Sequence, residues 1–294
     1  MQSLMKIFKK DNGDGLTPSA AIDQLGDEML SQILLEVPSR ELVLKATFVN
    51  KQWANILSDS VFWIRKLAKE GVLILDNLKT KLLECEDEQI CVFILKAVAT
   101  KDLTALPICR NLLKNPYAAE GKSHWEEKGS GQRRYLNTDT IFIVEEEPIG
   151  AEPVPPEASP YQQCFVTSFM LSVRSQTVKI SKMKREVLKL LEPRIRFSQW
   201  VSARHDCGSE CYLQLIMTSK DGSEIRSPRV DWSTANGMER RVWHKMEDTV
   251  EVPEELTSID FECRGKDLQF WRGHYGPKTT GCSLILEVEG IVIN

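Results

Sequence analysis

The chain has 294 residues, of which 42% are hydrophobic and 27% are charged, and its formal net charge at pH 7 is -4. This length suits two modest domains, and the negative charge argues against broad binding to nucleic acid or to an anionic membrane. The N-terminus lacks the long apolar core of a secretory signal. The most apolar run, residues 90–99, is too short to be inserted across a membrane. We therefore expect a cytoplasmic protein whose eight cysteines stay reduced.

The N-terminal third of the chain divides into three segments. Residues 1–20 are polar and rich in glycine and aspartate, which predicts a disordered arm. Residues 21–66 carry apolar residues at helical spacing in two stretches that are separated by Pro38. Residues 67–107 contain two further segments with helical spacing, which we interpret as linker helices.

The order of motifs in residues 25–63 is more specific than their periodicity. An apolar helix ends at Val37-Pro38, and it is followed by Glu41-Leu42, by Trp53 and by Phe62-Trp63. This pattern resembles an F-box, a helical unit that docks on the Skp adaptor of a cullin–RING ubiquitin ligase. The alternative is an ordinary three-helix packing unit.

The F-box resemblance implies an adaptor-binding face, which consists of the apolar residues of both stretches. These residues are Leu25, Met29, Leu30, Ile33, Leu34, Val37, Pro38, Leu42 and Trp53. One departure from the family is Gly26, because most F-boxes have proline there, in the first helical turn. We expect its loss to weaken the helix start while leaving the apolar face whole.

From residue 108 to residue 294, short β-prone runs alternate with glycine, proline and asparagine clusters, which predicts an antiparallel β-sandwich. The predicted strands are Cys164–Leu171, Val178–Ile180, Arg194–Trp200, Tyr212–Ser219, Arg241–Val250, Ser258–Arg264 and Leu284–Val288. Asp221-Gly222 predicts a hairpin turn. Residues 187–191 could form a single helical turn, and residues 145–160 read as a long loop inside this domain.

Long ungapped motifs in this half resemble the F-box-associated domain of the sugar-recognising F-box proteins. The motifs are Asn111-Leu112 with Lys114-Asn115-Pro116, Gly121 with Trp125, Cys164–Phe169, Trp200–Gly208 and Phe261–Gly276. The resemblance implies a multidomain protein with a helical F-box, a helical linker and a C-terminal jelly-roll-like β-sandwich. In glycan-binding members, the inner chitobiose of a high-mannose N-glycan occupies a shallow pocket at one end of the sandwich.

The same resemblance assigns five residues to this pocket: Phe169, Asp206, Phe270, Trp271 and Arg272. Aromatic rings pack on the C–H faces of sugars, and charged groups bond their hydroxyls. Trp271 would supply the face, Phe169 and Phe270 the walls, Asp206 an acceptor and Arg272 a donor. Phe270 and Arg272 stand where the glycan binders usually have tyrosine and lysine, and Arg272 differs from lysine in shape and hydration. The alternatives are core packing for Trp271 and Phe169, and turn capping for Asp206.

An enzymatic function is not favoured. A glycosidase needs two carboxylates, and Asp206, Glu262 and Asp267 fall in no recognisable active-site motif. His205, Cys207 and Cys211 lack a second Cys/His pair at metal-ligand spacing. We expect a non-catalytic protein without a metal or a cofactor.

The sequence therefore favours a substrate receptor of an SCF ubiquitin ligase. Its expected partners are the Skp adaptor, through it a cullin–RING ligase, and misfolded glycoproteins that are bound through chitobiose for ER-associated degradation. Two alternatives stay open. One is an SCF receptor that recognises a protein surface without glycan, and the other is a cytosolic lectin-like protein that is not assembled into a ligase.

Overall fold

The computed structural model describes residues 25–102, 106–129, 142–288 and 291–292. The predicted disordered arm, residues 1–20, lies outside this range. The described residues form two compact units. One contains the residues up to Leu106 with residues 189–191 and 291–292, and the other contains residues 107–188 and 192–288.

The first unit is mainly helical. Its elements are α1 Asp27–Leu35, α2 Ser39–Leu44, a 3-10 turn at Ala46–Phe48, α3 Lys51–Ile56, α4 Ser60–Lys69, β1 Leu73–Ile74, α5 Asp76–Glu84 and α6 Glu88–Ala99. Three helices begin at a side-chain cap that satisfies an N-terminal amide. The caps are Asn50, which accepts from Trp53 N at 2.9 Å, Asp59, which accepts from Val61 N at 2.8 Å, and Asp87, which accepts from Ile90 N at 3.2 Å.

Helix α1 forms without the proline that the family usually has. Gly26 is its N-cap residue in an extended conformation, and its carbonyl accepts from Leu30 N at 3.0 Å. Asp27 and Glu28 place negative charge in the first turn, where the helix dipole favours it. The helix start is therefore supported by electrostatics rather than by proline.

Helices α1, α3 and α4 pack around a buried core. Leu30, Leu34 and Trp63 have no exposed surface, and Trp63 Nε1 donates to the carbonyl of Leu57 at 2.9 Å. Helix α4 continues through the buried Lys66 to Lys69. The predicted end of the F-box at residue 66 therefore falls inside a helix, because the apolar spacing by itself does not mark where a helix ends.

Two helices occupy the predicted linker segment. Helix α5 buries Leu78 and Leu82, and helix α6 buries Ile90, Ile94 and Ala97. Helix α6 packs against α4. The segment therefore contributes to the core of the helical unit. No helix in the described ranges is long and apolar enough to span a bilayer.

The second unit is a β-sandwich of two antiparallel sheets. Its strands are β2 Glu126–Gly129, β3 Phe142–Glu145, β4 Cys164–Thr167, β5 Ser172–Lys179, β6 Arg194–Ser202, β7 Ser209–Thr218, β8 Glu224–Arg226, β9 Arg229–Ser233, β10 His244–Glu251, β11 Ser258–Asp267 and β12 Lys278–Glu287. One sheet has the order β10-β6-β12-β4-β3, and the other has the order β2-β5-β11-β7-β8 with β9 also paired to β7. A short strand β13, Ile291–Val292, pairs with β1 in the first unit.

Alternation along the strands places the core between the sheets. On β7, Cys211, Leu213, Leu215 and Met217 are buried while the residues between them are half-buried, as the two-residue period of a strand requires. The buried rings of Phe165, Phe197 and Phe261 belong to the same core region, and Trp125 packs edge-on to Phe165 at 5.6 Å.

Several predicted bounds differ from the observed ones. The strand predicted at Cys164–Leu171 ends at Thr167, and the chain then turns into β5, of which only the last two residues were anticipated. The strand predicted from Arg241 starts at His244, and the one predicted from Leu284 starts at Lys278. Strands β2, β3, β8 and β9 were not predicted, since they are short and lie at sheet edges or beside them.

The single helical turn predicted at residues 187–191 is the end of a longer helix, α7 Lys182–Leu191. Ser181 caps it by accepting from Lys184 N at 3.4 Å, and Glu192 ends it in the left-handed conformation before Pro193. The predicted hairpin turn is present between β7 and β8, where Gly222 has a φ of +84°. Residues 146–163 contain no helix or strand, as predicted for the loop inside this unit.

Candidate functional site

Three loops meet at one end of the sandwich. They are residues 168–171 between β4 and β5, residues 203–208 between β6 and β7, and residues 268–277 between β11 and β12. The strand registers align their ends, because Asp267 pairs with Ser209 and Lys278 pairs with both Ser202 and Val166. All five residues of the predicted pocket lie on these loops.

Hydrogen bonds tie the three loops together. Asp267 N donates to the carbonyl of Ser168 at 3.2 Å, and Leu268 N donates to the carbonyl of Gly208 at 2.9 Å. Ser168 Oγ donates to the carbonyl of Gly273 at 2.9 Å. Two of these bonds join two different loops, and the third joins a loop to the last residue of β11, so a side chain carried by one loop is held in place by its neighbours.

Phe270 and Trp271 project from the third loop into solvent. The exposed fraction is 69% for Phe270 and 42% for Trp271, and Phe169 is half-buried. Core packing is therefore excluded for Trp271. Its ring stands edge-on to Tyr275, with the centroids 5.7 Å apart. A Cβ added to Gly273, whose φ is +133°, would lie 2.7 Å from the Tyr275 ring, so this contact requires glycine there.

Asp206 pairs with Arg204 rather than capping the turn beside Gly208. Arg204 Nε and Nη2 donate to the two carboxylate oxygens at 2.9 and 3.0 Å. The hydrogen bonds from the Arg204 guanidinium lower the pKa of Asp206 from 3.8 to about 2. Asp206 is thus charged throughout the physiological pH range, and its carboxylate oxygens retain lone pairs for further donors.

Arg204 and Tyr275 are residues of this site that the sequence analysis missed. The guanidinium carbon of Arg204 lies 4.9 Å from the centroid of the Tyr275 ring, within cation–π distance. Tyr275 therefore stands between Arg204, which holds Asp206, and the ring of Trp271. Both residues lie within the quoted motifs, but no local pattern indicates that they would meet. Arg272, the predicted donor, is exposed next to Trp271.

The loop end of the sandwich therefore presents two exposed rings, Phe270 and Trp271, and one ion pair, Arg204 with Asp206. A family model described as "F-box associated region" matches residues 103–286, more than half of the chain. The chain belongs to this family. The subfamily that the sequence motifs indicated is thereby confirmed.

Relatives with F-box only names match along almost the whole chain. "F-box only protein 17" of Homo sapiens is 30% identical over 286 residues, covering 92% of this chain and 95% of that protein. "F-box only protein 6" of Mus musculus is 28% identical over 271 residues, covering 90% and 83% respectively. "F-box only protein 27" of Mus musculus is 28% identical over 282 residues, covering 91% of each chain.

Among solved structures, TmCBM61 in complex with beta-1,4-galactotriose is similar to part of the chain. The match has a TM-score of 0.39 and 16% sequence identity, and it covers 61% of this chain and all of that one.

The cysteines and the histidine near the loops of the F-box-associated region have separate partners. Cys207 Sγ donates to Gln269 Oε1 at 3.0 Å, Cys211 Sγ accepts from Gln199 Nε2 at 3.2 Å, and His205 Nδ1 lies 3.3 Å from the carbonyl of Gly150. Within the described residues, no group of three histidine, cysteine or acidic side chains is arranged to hold a metal ion.

In the helical unit of this family member, five of the nine predicted adaptor contacts are buried. These are Leu30, Leu34, Val37, Leu42 and Trp53, all at most 5% exposed. Burial of these five side chains fits a role in the core of the unit, and the predicted adaptor-binding face stays a prediction. The remaining four are at least partly exposed: Leu25, Met29, Ile33 and Pro38.

Among the exposed apolar side chains of this unit that were not predicted as adaptor contacts, three are close together in the chain. Phe48 is 83% exposed, Leu44 57% and Val49 42%, and they lie within six residues of one another in the chain. We call Leu44, Phe48 and Val49 the exposed apolar turn. Large apolar side chains at this exposure are typical of interaction surfaces when they occur together.

Proposed function

We propose that this chain is a non-catalytic substrate receptor of an SCF ubiquitin ligase. It acts in the cytoplasm, where it captures misfolded glycoproteins through the chitobiose core of their high-mannose N-glycans for ER-associated degradation. The helical unit acts as the F-box, and the jelly-roll-like sandwich acts as the recognition domain. Ubiquitin transfer belongs to the partner ligase.

The observation that carries the glycan proposal is the exposure of Trp271 together with its link, through the ring of Tyr275, to the Arg204–Asp206 pair. An exposed ring offers a face for the C–H groups of a sugar. The carboxylate of Asp206 is charged and can accept from hydroxyl or N-acetyl N–H groups. The two features lie on loops that are hydrogen-bonded to one another, so a ligand would meet a preorganised surface.

The adaptor proposal rests on the exposed apolar turn of the helical unit together with Met29, which is 59% exposed. Covering these side chains with an apolar partner would contribute about 25 cal/mol of favourable free energy for each Å² of apolar surface removed from water. We propose that the Skp adaptor is that partner.

One observation favours the alternative of a receptor for protein surfaces. Phe270, the most exposed ring of the site, has no hydroxyl to bond a sugar, and its apolar face suits an apolar side chain of a client equally well. In this alternative the F-box function is unchanged and only the class of client differs.

A titration tests the glycan proposal. The full chain, co-purified with the adaptor, would be titrated with chitobiose and, as the matched control, with cellobiose, which lacks the N-acetyl groups. Saturable binding of chitobiose alone supports the proposal. If folded protein binds neither sugar at millimolar concentration, the glycan proposal is wrong and the protein-surface receptor replaces it.

A further inference from the structure

Asp267 is buried beneath the loop that carries Phe270 and Trp271. It is the last residue of β11 and has no exposed surface. Its Oδ1 accepts from the backbone amides of Gln269 at 3.0 Å and Phe270 at 2.5 Å. One carboxylate oxygen thus holds the first turn of the loop.

The conformation that these bonds hold is unfavourable for the residue that adopts it. Phe270 has a φ of +57°, in the left-handed region that a bulky L-residue rarely occupies. Such a conformation persists only where the surroundings determine it, and it is often found at binding sites. Here the left-handed residue is also the most exposed ring of the loop.

The second oxygen of the carboxylate makes no compensating bond. Asp267 Oδ2 is buried and has no hydrogen-bond partner within the described ranges. A buried acceptor without a partner costs stability, and this cost stands against the two bonds that Oδ1 accepts. The contribution of the Asp267 carboxylate to the loop therefore comes from the two amides that Oδ1 holds.

We propose that Asp267 is the positioning residue of the recognition loop: its buried carboxylate fixes Gln269 and Phe270 in the turn that presents Phe270 and Trp271 to the ligand. The binding part of this inference rests on the proposed function. The part concerning the loop itself does not, because it concerns the backbone in the absence of ligand.

Hydrogen exchange tests the loop directly. In the full chain, Asp267→Ala should speed exchange of the amides in residues 268–273 by about tenfold or more, since charge-assisted bonds are lost. Peptides from β7 should exchange as in the wild type. The matched control is Asp260→Ala, which removes a carboxylate of the same strand that accepts from Thr177 Oγ1 and should leave residues 268–273 unchanged.

Asp267→Asn separates positioning from folding. It keeps an acceptor oxygen without the charge, and neutral hydrogen bonds are about half as strong as charge-assisted ones. Exchange in residues 268–273 should therefore be intermediate between wild type and Asp267→Ala. If Asp267→Ala does not fold, Asp267→Asn alone decides. Exchange of the loop at the wild-type rate in the folded variant overturns the proposal.

Chitobiose affinity is the second measurement. Loosening the loop should weaken binding by about tenfold or more in Asp267→Ala and by less in Asp267→Asn, with β7 protection retained in both. If the wild type binds no chitobiose, the proposed function fails, and the exchange experiment still decides the role of Asp267. If the loop loosens but chitobiose affinity is unchanged, the proposal that Asp267 positions Phe270 and Trp271 for ligand binding is wrong.

Discussion

Arg204 and Asp206 lie two residues apart and form an ion pair with two hydrogen bonds, at 2.9 and 3.0 Å. Asp206 is the one carboxylate that the family resemblance assigns to sugar binding, and Arg204 holds it in place. Because Arg204 also lies against the ring of Tyr275, and Tyr275 against that of Trp271, the charged and aromatic parts of the site share one support.

Arg204→Met should raise the pKa of Asp206 from about 2 toward its ordinary value of 3.8. The folded-state pKa is depressed, so the stabilisation by this pair is present above the unfolded-state pKa and is lost as the pH falls through about 2. No change from this group is expected above about pH 5. NMR titration of the Asp206 carboxyl carbon in both proteins measures the shift, and an unchanged pKa in the variant would show that Arg204 is not its cause.

Trp271→Ala should weaken chitobiose binding by roughly thirtyfold, because truncating a central aromatic anchor typically costs about 2 kcal/mol or more. Trp271 is 42% exposed, so its loss should change the melting temperature little. Calorimetric titration and thermal unfolding measure the two effects. Phe48→Ala, which removes an exposed ring from the other unit, is the control and should bind chitobiose like the wild type. Equal affinity of Trp271→Ala and wild type would contradict the aromatic anchor.

Phe270→Tyr should strengthen chitobiose binding if the absent phenolic hydroxyl limits this chain. One added neutral hydrogen bond contributes about 0.5–1.5 kcal/mol, which is roughly twofold to tenfold in affinity. The left-handed backbone at this position should be unaffected, since both rings share the same Cβ geometry. Weaker binding by the tyrosine variant would show that the apolar face of Phe270 is what the ligand contacts.

Two leucines of the helical unit should respond differently to mutation. Leu30→Ala should destabilise the unit by about 2–5 kcal/mol, because Leu30 has no exposed surface. Leu44→Asp should leave the fold intact and reduce co-purification with the adaptor, because an exposed apolar contact is replaced by a charge. Thermal unfolding and pull-down of the adaptor separate the effects. A folded Leu44→Asp variant that recovers the adaptor fully would exclude this residue from the interface.

Gly276→Ala should loosen the junction of the loops, because an added Cβ would lie 2.3 Å from Thr167 Oγ1 and 3.0 Å from the carbonyl of Ser168. Overpacking of this kind costs about 1–3 kcal/mol. Gly26→Ala is the matched control, since a Cβ there has nothing within 4 Å and the φ is -66°. Chemical denaturation compares the free energies of unfolding, and equal loss in both variants would contradict the steric cause.

The family and the division into helical and β-rich halves could be predicted from the sequence alone, together with five candidate site residues, but not the roles of Arg204, Tyr275 and Asp267. Long ungapped motifs are independent of how the chain packs, and this made the match to residues 103–286 predictable. Strands β6, β7 and β11 could be predicted from the sequence because each is a run of eight or more β-prone residues. The short strands β8 and β9 were not found, since they are specified by pairing to β7 rather than by their own composition.

Which side chains of the helical unit are exposed, and how the loops support the site, depend on packing that the sequence does not show. Helical spacing predicts that Leu30 and Trp53 each lie on the apolar face of their own helix, but not whether those faces are covered by the same chain or by a partner. Packing within the chain buries both side chains. Strand register brings the loops of the site together. The contact between Arg204 and Tyr275 depends on this register, and so does the hydrogen bond from Phe270 N to Asp267. Sequence spacing does not predict that these loops lie close together, because their proximity results from hydrogen bonds between strands that are distant in the chain.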